Sequence, residues 1–201
     1  MIRAYHRAGS LEEALHLLAR PQVNTAVVTG YDARLDDTID EVVDLQALAL
    51  GGITVDGAAV MLGSLTRLQA VVDAADLPDW LRDLARREDV STFRNMRTLA
   101  DLILKPETDS VLLAALLVCD AVVLVQSLAG ERQVALDEYL RDRGDGLPTA
   151  LRLTVAGAFA EARVGRTPGD RPIVAAAARR AADGTLRLAL CGVVPLPIRV
   201  E

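Results

Sequence analysis

The sequence predicts an α+β fold with a small βαβ lobe, a larger mixed α/β lobe and a strand-rich C-terminal piece. Helix-type and strand-type patterns alternate over the first three-quarters of the chain, and strand-type patterns then take over. Hydrophobic residues make up 51% of the 201 residues, which is ample for a core. Aromatic residues make up only 3%. Ala, Val and Leu must therefore build that core.

The first lobe is predicted from one helix between two short strands. Ser10 and Glu13 form a capping box in front of Leu11–Leu18, whose apolar residues repeat on one helical face. Strands are expected near Ile2–Tyr5 and at Thr25–Val28. Two parallel strands joined by a helix form a βαβ unit.

The strands of the second lobe and of the C-terminal piece follow from turn signals and apolar runs. Ile53–Val55 and Ala59–Leu62 flank Asp56-Gly57, a dipeptide typical of tight hairpin turns. Further strands are expected in five segments: Ala121–Val125, Arg152–Val155, Phe159–Val164, Ile173–Ala182 and Thr185–Val194. Pro195 and Pro197 should end the strand pattern.

Two helices of the second lobe carry predicted polar contacts. The first is the helix that begins at Pro78, in which Asp83 and Arg87 are spaced for an i,i+4 ion pair on the solvent face. The second is the apolar segment Val111–Val118, with Thr108 or Asp109 as its N-cap. We expect one unit over residues 1–157, with lobes of about 1–50 and 51–157, and a second piece over residues 158–201.

Charge and composition exclude several classes of function. The net charge is −6 and the basic residues are scattered, which argues against a nucleic-acid surface. The longest apolar run, Val111–Cys119, is about half of what spans a bilayer, and residues 1–9 lack a signal-peptide pattern. We therefore expect a cytoplasmic protein that binds no nucleic acid and no membrane.

No metal or nucleophile motif is visible. Cys119 and Cys191 lie far apart in apolar segments and are interpreted as reduced core residues. His6 and His16 lack partners at metal-ligand spacing and are interpreted as surface or capping residues. No catalytic residue is predicted.

The most informative segment is Val90–Leu102, VSTFRNMRTLADL. It resembles the second flavin loop of the FAD-binding subunit of molybdenum hydroxylases, the family of the xanthine dehydrogenase and carbon monoxide dehydrogenase medium subunits, with the pattern I-R-N-x-G-T-I-G-G-N-L. Three positions fit this pattern: Arg94, Asn95 and Thr98. Four positions depart from its glycines and its Asn: Arg97, Ala100, Asp101 and Leu102.

The resemblance extends along most of the chain. Tyr5–Leu18 is similar to the family's opening Y-x-R-P-x-S-L-E-E-A-L-x-L-L, and Val28–Ala33 takes the place of the first flavin loop, A-G-G-T-D-L. Shorter matches follow in order: Val43–Leu45, Gly63–Thr66, Pro106–Asp109 and Arg163–Val174. The last is similar to the stretch that opens the family's C-terminal domain. The resemblance therefore implies an FAD-binding-like domain over residues 1–157 and a truncated start of that C-terminal domain over residues 158–201. The resemblance implies an FAD site formed by seven residues: Thr29, Gly30, Asp32, Arg94, Asn95, Thr98 and Asp109.

A purely structural role remains open for each of these residues. Gly30 supplies either a positive φ facing a phosphate or an ordinary turn, and Asp109 either touches the flavin region or caps a helix. Arg94 and Asn95 either brace the flavin loop or bond the backbone of an irregular segment. Glu161 stands where many relatives carry a Lys beside the flavin ring.

The resemblance implies electron transfer from iron–sulfur clusters through FAD, in a complex whose molybdenum subunit performs the substrate chemistry. A loop that lays its N–H groups against a pyrophosphate needs glycine, and here both loops have lost glycines. The first hypothesis is therefore a diverged flavoprotein subunit with weak or lost FAD binding. The alternative is a non-catalytic structural or assembly subunit that keeps the fold and the partner surface. In both, molybdenum and iron–sulfur subunits are the expected partners, in a homo- or hetero-oligomer.

Overall fold

The computed structural model describes residues 2–30, 35–167 and 170–200. The strands in this part of the chain are β1 (Ala4–Arg7), β2 (Thr25–Val28), β3 (Glu41–Asp44), β4 (Ile53–Asp56), β5 (Ala59–Gly63), β6 (Val122–Ser127), β7 (Gly130–Ala135), β8 (Leu147–Thr154), β9 (Ala158–Val164), β10 (Val174–Arg180), β11 (Leu186–Cys191) and β12 (Ile198–Val200). The helices are α1 (Leu11–Leu18), α2 (Leu68–Asp73), α3 (Asp79–Glu88), α4 (Ser91–Arg94), α5 (Leu99–Leu104), α6 (Val111–Val118) and α7 (Leu136–Arg141). The α+β class is confirmed.

The N-terminal sheet has three parallel strands in the order β1-β3-β2. Helix α1 begins as predicted, since the Ser10 hydroxyl accepts a hydrogen bond from the Glu13 N–H at 3.1 Å. The predicted strands β1 and β2 are not neighbours, because β3 lies between them and pairs with both. The sequence did not predict β3 as a strand. The core under α1 contains Ala14, Leu15 and Val43.

The central sheet has five antiparallel strands in the order β4-β5-β8-β6-β7. Its first hairpin turns at Gly57-Ala58, one residue later than the predicted Asp56-Gly57, because Asp56 still pairs with Ala59. Gly57 has a φ of +57°. Strand β8 begins at Leu147, five residues before the predicted start. The hairpin partner β7 and helix α7 were not predicted.

The C-terminal sheet has four antiparallel strands in the order β12-β11-β10-β9. Helix α6 packs on one face of this sheet, and all its residues from Val111 to Val118 are buried. A helix that is apolar on all sides is expected to be buried on all sides. Strand β12 follows Pro195 and Pro197, so the predicted end of the strand pattern is wrong.

Two predicted polar contacts are also wrong. The N-cap of α6 is Ser110, whose hydroxyl accepts from the Leu113 N–H at 3.0 Å, and neither Thr108 nor Asp109 fills that role. The carboxylate of Asp83 pairs with Arg86, one turn away.

Arg87 instead reaches the C-terminal sheet, where it pairs with Glu161 on β9 at 2.5 Å. The rings of Trp80 on α3 and Phe159 on β9 stack with centroids 4.2 Å apart. Helix α3 thus lies against β9. The Arg87 guanidinium pairs with Glu161 and donates to the backbone carbonyl of Asp83 at 3.3 Å, not to the Asp83 carboxylate. None of the helices in the described residues is long and apolar enough to cross a bilayer.

Candidate cofactor site

The two segments that resemble flavin loops meet in the structure. The first follows β2 and includes Thr29 and Gly30, and the second runs from α4 into α5. A Cβ atom on Gly30 would lie 2.1 Å from the Met96 carbonyl oxygen. The φ of Gly30 is not in the left-handed region, so the positive-φ interpretation is wrong. Glycine is needed here because the backbone of the second loop packs directly against the first.

The carboxylate of Asp101 joins the two loops. Its Oδ1 accepts a hydrogen bond from the Thr29 hydroxyl at 2.5 Å. Its Oδ2 accepts from the backbone N–H of Thr98 at 2.7 Å and from the Thr98 hydroxyl at 2.9 Å. Asp101 lies in the first turn of α5, so it completes a capping box with Thr98. Thr29, Thr98 and Asp101 are all buried, with 3%, 2% and 6% of their surface exposed.

The chain therefore supplies its own anion to this pair of loops. A carboxylate at a helix N-terminus is favoured by the unpaired N–H groups there. The Thr98 N–H and the two threonine hydroxyls are already engaged by Asp101. An external phosphate at this point would have to displace a buried, hydrogen-bonded carboxylate.

A network of charged side chains, here called the ionic cluster, lies beside the second loop. Its members are Glu88, Asp89, Arg97, Glu107, Asp109 and Arg171. The buried Arg97 guanidinium lies 2.7 Å from Asp89 and 3.1 Å from Glu107. Arg97 is the residue that the sequence comparison set against a glycine of the family pattern, and its buried side chain fills the space between Asp89 and Glu107.

Arg171 ties the C-terminal segment into the same cluster. Its guanidinium lies 3.3 Å from Glu88, 2.5 Å from Glu107 and 3.2 Å from Asp109. Arg97 and Arg171 thus share Glu107. Asp109, a predicted flavin-site residue, is held by an arginine of this chain.

The pKa values of two carboxyl groups in the cluster are shifted in opposite directions. Burial raises the pKa of Glu88, and the opposing charge of Arg171 does not cancel this effect. Burial also acts to raise the pKa of Glu107, but the hydrogen bond from Arg171 and the charges of Arg97 and Arg171 lower it overall. Glu88 is thus destabilised as an anion, whereas Glu107 is stabilised as one.

This difference predicts opposite pH dependences for two isosteric substitutions. Stability from a group with a raised pKa is present at low pH and is lost as the pH rises above its ordinary value, 4.5 for Glu88. Stability from a lowered pKa is present above 4.5 and is lost on acidification. We therefore expect Glu88→Gln to gain stability relative to the wild type as the pH rises from about 4 to 8, and Glu107→Gln to lose it. Urea unfolding at a series of pH values measures both differences, and parallel curves for the two variants would contradict the assignment.

The remaining predicted residues have structural partners. Arg94 donates to the backbone carbonyls of Arg86 at 2.8 Å and Asp89 at 2.6 Å, and Asn95 donates to the Ser91 carbonyl at 2.8 Å. These bonds match the backbone-bracing interpretation. Asp32 lies outside the described residues.

Clusters of potential metal ligands and the two cysteines were the other candidate sites among the described residues. No group of three or more His, Cys, Asp or Glu among them could hold a metal ion. Both cysteines are buried, and burial raises the pKa of Cys119 to about 12 and that of Cys191 to about 11. Neither thiol is therefore a nucleophile at neutral pH.

Three contacts of this site escaped sequence reasoning. Thr29 and Asp101 are 72 positions apart, Arg171 and Glu88 are 83 apart, and Arg87 and Glu161 join a helix to a distant strand. The capping-box spacing of Thr98 and Asp101 was visible in the sequence and could have indicated that Asp101 serves α5.

Comparison with known proteins gives three kinds of match. Residues 1–153 match the model of the FAD-binding domain in molybdopterin dehydrogenase. The protein named "Uncharacterized protein YgfM" of Escherichia coli K12 is 29% identical over 207 aligned positions, which cover 100% of this chain and 78% of the relative.

Two solved structures share the fold. Carbon monoxide dehydrogenase from Hydrogenophaga pseudoflava superposes with a TM-score of 0.83 at 20% identity, covering 100% of this chain and 78% of that chain. Quinoline 2-oxidoreductase from Pseudomonas putida 86 also superposes with a TM-score of 0.83, at 18% identity, covering 98% of this chain and 76% of that chain.

Proposed function

Because the chain belongs to the family of FAD-binding domains in molybdopterin dehydrogenases, we propose that it is a flavoprotein-type subunit of a molybdenum-hydroxylase-like oxidoreductase that no longer holds FAD. In this role it is a structural or assembly subunit, which keeps the fold and the surface for its partners. We place it in a cytoplasmic complex with molybdenum and iron–sulfur subunits. The redox chemistry of this family resides in its cofactors, so loss of FAD removes the electron-transfer step without unfolding the chain.

The observation that carries the proposal is the position of Asp101. A pyrophosphate between the two loops would meet a buried carboxylate of the same sign of charge. Displacing that carboxylate breaks at least three hydrogen bonds, each worth about 1.5–3 kcal/mol for a charged acceptor. The contact of Gly30 with Met96 also leaves no gap between the two backbones at that point. The residues at the phosphate end therefore do not fit FAD.

The residues expected at the flavin end support the same conclusion. Asp109 is paired with Arg171, and Glu161 is paired with Arg87. Glu161 also has a buried carboxylate oxygen, Oε2, without a hydrogen-bond partner. A negative charge at this position would disfavour a reduced, anionic flavin ring.

The second candidate is a diverged flavoprotein that binds FAD weakly through altered contacts. The retained match of Arg94, Asn95 and Thr98 to the family pattern favours it. In this chain, however, Thr98 caps α5 and Asn95 donates to the Ser91 carbonyl. Arg94 donates to the carbonyls of Arg86 and Asp89 and to the Gln69 side chain.

A binding measurement separates the two candidates. We expect the purified chain to show no flavin absorbance and no saturable heat of FAD binding at about 100 µM ligand, whereas an intact cofactor site in this family would bind at or below micromolar concentrations. A flavoprotein subunit that carries FAD is the positive control. Stoichiometric, sub-micromolar binding would establish the diverged-flavoprotein function instead.

Metal analysis tests the role as a subunit. When the tagged chain is purified from cells that express it at its native level, we expect molybdenum and iron to co-purify with it and flavin to be absent. Flavin in stoichiometric amount would contradict the proposal, and so would a preparation free of both metals.

A further inference from the structure

The N-terminal sheet and α1, here called the N-terminal lobe, have a hydrophobic core of their own. From outside the lobe and the turn that follows β3, Leu147 is buried in this core and Leu65 packs against it. The larger core around α6 and the central sheet is a separate cluster in the described part of the chain. Within these two clusters, the two leucines are therefore the apolar link between the lobe and the rest of the chain. The lobe itself contributes five buried residues to its core: Ala8, Ala14, Leu15, Val43 and Leu45.

One short turn carries the chain from the lobe to the rest of the molecule. On the lobe side, Leu45 donates its backbone N–H to a carbonyl of β2 at 2.9 Å. On the far side, the carbonyls of Leu50 and Gly52 accept backbone N–H groups of residues 63–65 at 2.9 and 2.8 Å. Between these anchors, residues 46–49 form no helix or strand, and three of the four are exposed. An exposed turn can absorb changes in φ and ψ, which is what a hinge requires.

A polar contact joins the lobe to the second loop at another point. The buried hydroxyl of Thr29, just after β2, donates to Oδ1 of Asp101, and the Gly30 backbone lies against the Met96 carbonyl. Beside α1, a cleft of about 550 Å³ lies between the lobe and the β6–β7 hairpin. The lobe is thus held at separate points, around Leu147 and at Thr29, and not along a continuous interface.

We propose that the N-terminal lobe moves as a rigid body about residues 46–49, and that the hydrogen bond from Thr29 to Asp101 is the latch that keeps it closed. In the open state, Leu147 leaves the core of the lobe and the two loops separate. Thr98 and Asp101, which are 2% and 6% exposed in the closed state, then become accessible. Opening thus presents the second loop to another molecule while the chain stays folded.

Thiol labelling over a urea series measures the open population. Leu147→Cys places a thiol at a position that is 2% exposed in the closed state and is uncovered when the lobe moves away. The native Cys119 and Cys191 are buried in the larger core and report its unfolding. A rigid-body opening exposes little surface, so we expect position 147 to react faster than both native cysteines at low urea, with a much shallower urea dependence.

A single rate and a single urea dependence for all three thiols would overturn the proposal, because the lobe would then open only when the whole chain unfolds. Leu65→Cys is a second reporter at the same contact, for use if Leu147→Cys does not fold.

Two threonines of the lobe test the latch. Thr29→Val removes the hydroxyl that donates to a charged acceptor, so labelling at position 147 should become about tenfold faster or more. Thr25→Val is the matched control, since the buried Thr25 hydroxyl lies in the same lobe and has no hydrogen-bond partner among the described residues. We expect it to leave the labelling rate nearly unchanged. Equal effects of the two substitutions would show that Thr29 is not the latch.

Hydrogen exchange distinguishes a moving lobe from an unfolding one. Strand β3 bonds to β1 and β2 inside the lobe, so its amides stay protected when the lobe moves as a body. In the Leu147→Cys chain, we therefore expect a smaller opening constant from the exchange of β3 amides than from labelling at position 147. Equal opening constants would mean that the lobe unfolds locally, which would overturn the rigid-body motion.

Discussion

Asp101→Gly, which installs the residue of the family pattern, is expected to lower the free energy of unfolding by about 3–5 kcal/mol. The substitution removes the capping box of α5 and leaves the Thr29 hydroxyl and the Thr98 N–H buried without their acceptor. It also places glycine in the first turn of a helix, at a cost of up to about 1 kcal/mol. Urea unfolding followed by circular dichroism measures the change.

The matched control is Asp79→Gly, in the first turn of α3. The Asp79 side chain is 92% exposed, and its ion pair with Arg82 lies at the surface. We expect a loss of about 1 kcal/mol or less there, mainly from helix propensity. Equal losses at the two positions would show that the Asp101 carboxylate does not hold the loops together.

Substitutions that restore the family pattern in the second loop would therefore affect more than the loop itself. Ala100 and Leu102 occupy two further positions of the pattern, and both are at most 1% exposed in the core. Replacing Leu102 with Asn would bury an amide in an apolar cluster and remove a packed side chain. Substitutions at Ala100 and Leu102 toward the family pattern would thus change the core as well as the loop.

Local patterns predicted most of the secondary structure. The Ser10 cap of α1, the hairpin turn after Asp56 and the apolar run of α6 each depend on a few neighbouring residues. The structure confirms the cap and the apolar helix, while the Glu13 carboxylate accepts from Gly9 and the turn lies at Gly57-Ala58. Strand β3 was missed because it is short and its neighbours come from distant parts of the chain. Strand β12 was missed because Pro195 and Pro197 suggested an end, although both precede the strand.

The two segments that were expected to form the cofactor site touch each other, but the contacts between them were not predicted. The positions of Thr29, Gly30 and Thr98 in the family pattern did identify two segments that meet. Which side chain fills the junction depends on tertiary packing, since Asp101 reaches Thr29 across 72 positions. The ionic cluster likewise depends on Arg171, which approaches Glu88 from the C-terminal segment.

The second large effect is expected at Arg97, the other charged replacement in the second loop. Arg97→Met keeps the aliphatic stem but removes the guanidinium, which leaves Asp89 with 16% of its side chain exposed and without this partner. We expect a loss of about 2–3 kcal/mol, below the usual 3–5 for a broken buried pair, because Glu107 is 41% exposed and keeps Arg171. Arg86→Met, in an exposed pair with Asp83, is the control and should change stability by at most about 0.5 kcal/mol.

A double-mutant cycle decides whether that loss belongs to the ion pair. Asp89→Asn removes the carboxylate charge, so Arg97→Met should cost about 1–2 kcal/mol less in the Asp89→Asn background than in the wild type. Backbone amides of the second loop should also exchange faster with solvent in Arg97→Met, because its guanidinium holds the loop to the segment that follows α3. Additive losses in the cycle would mean that Arg97 acts through the packing of its stem. The ionic cluster would then fill the space beside the second loop without holding the loop in place.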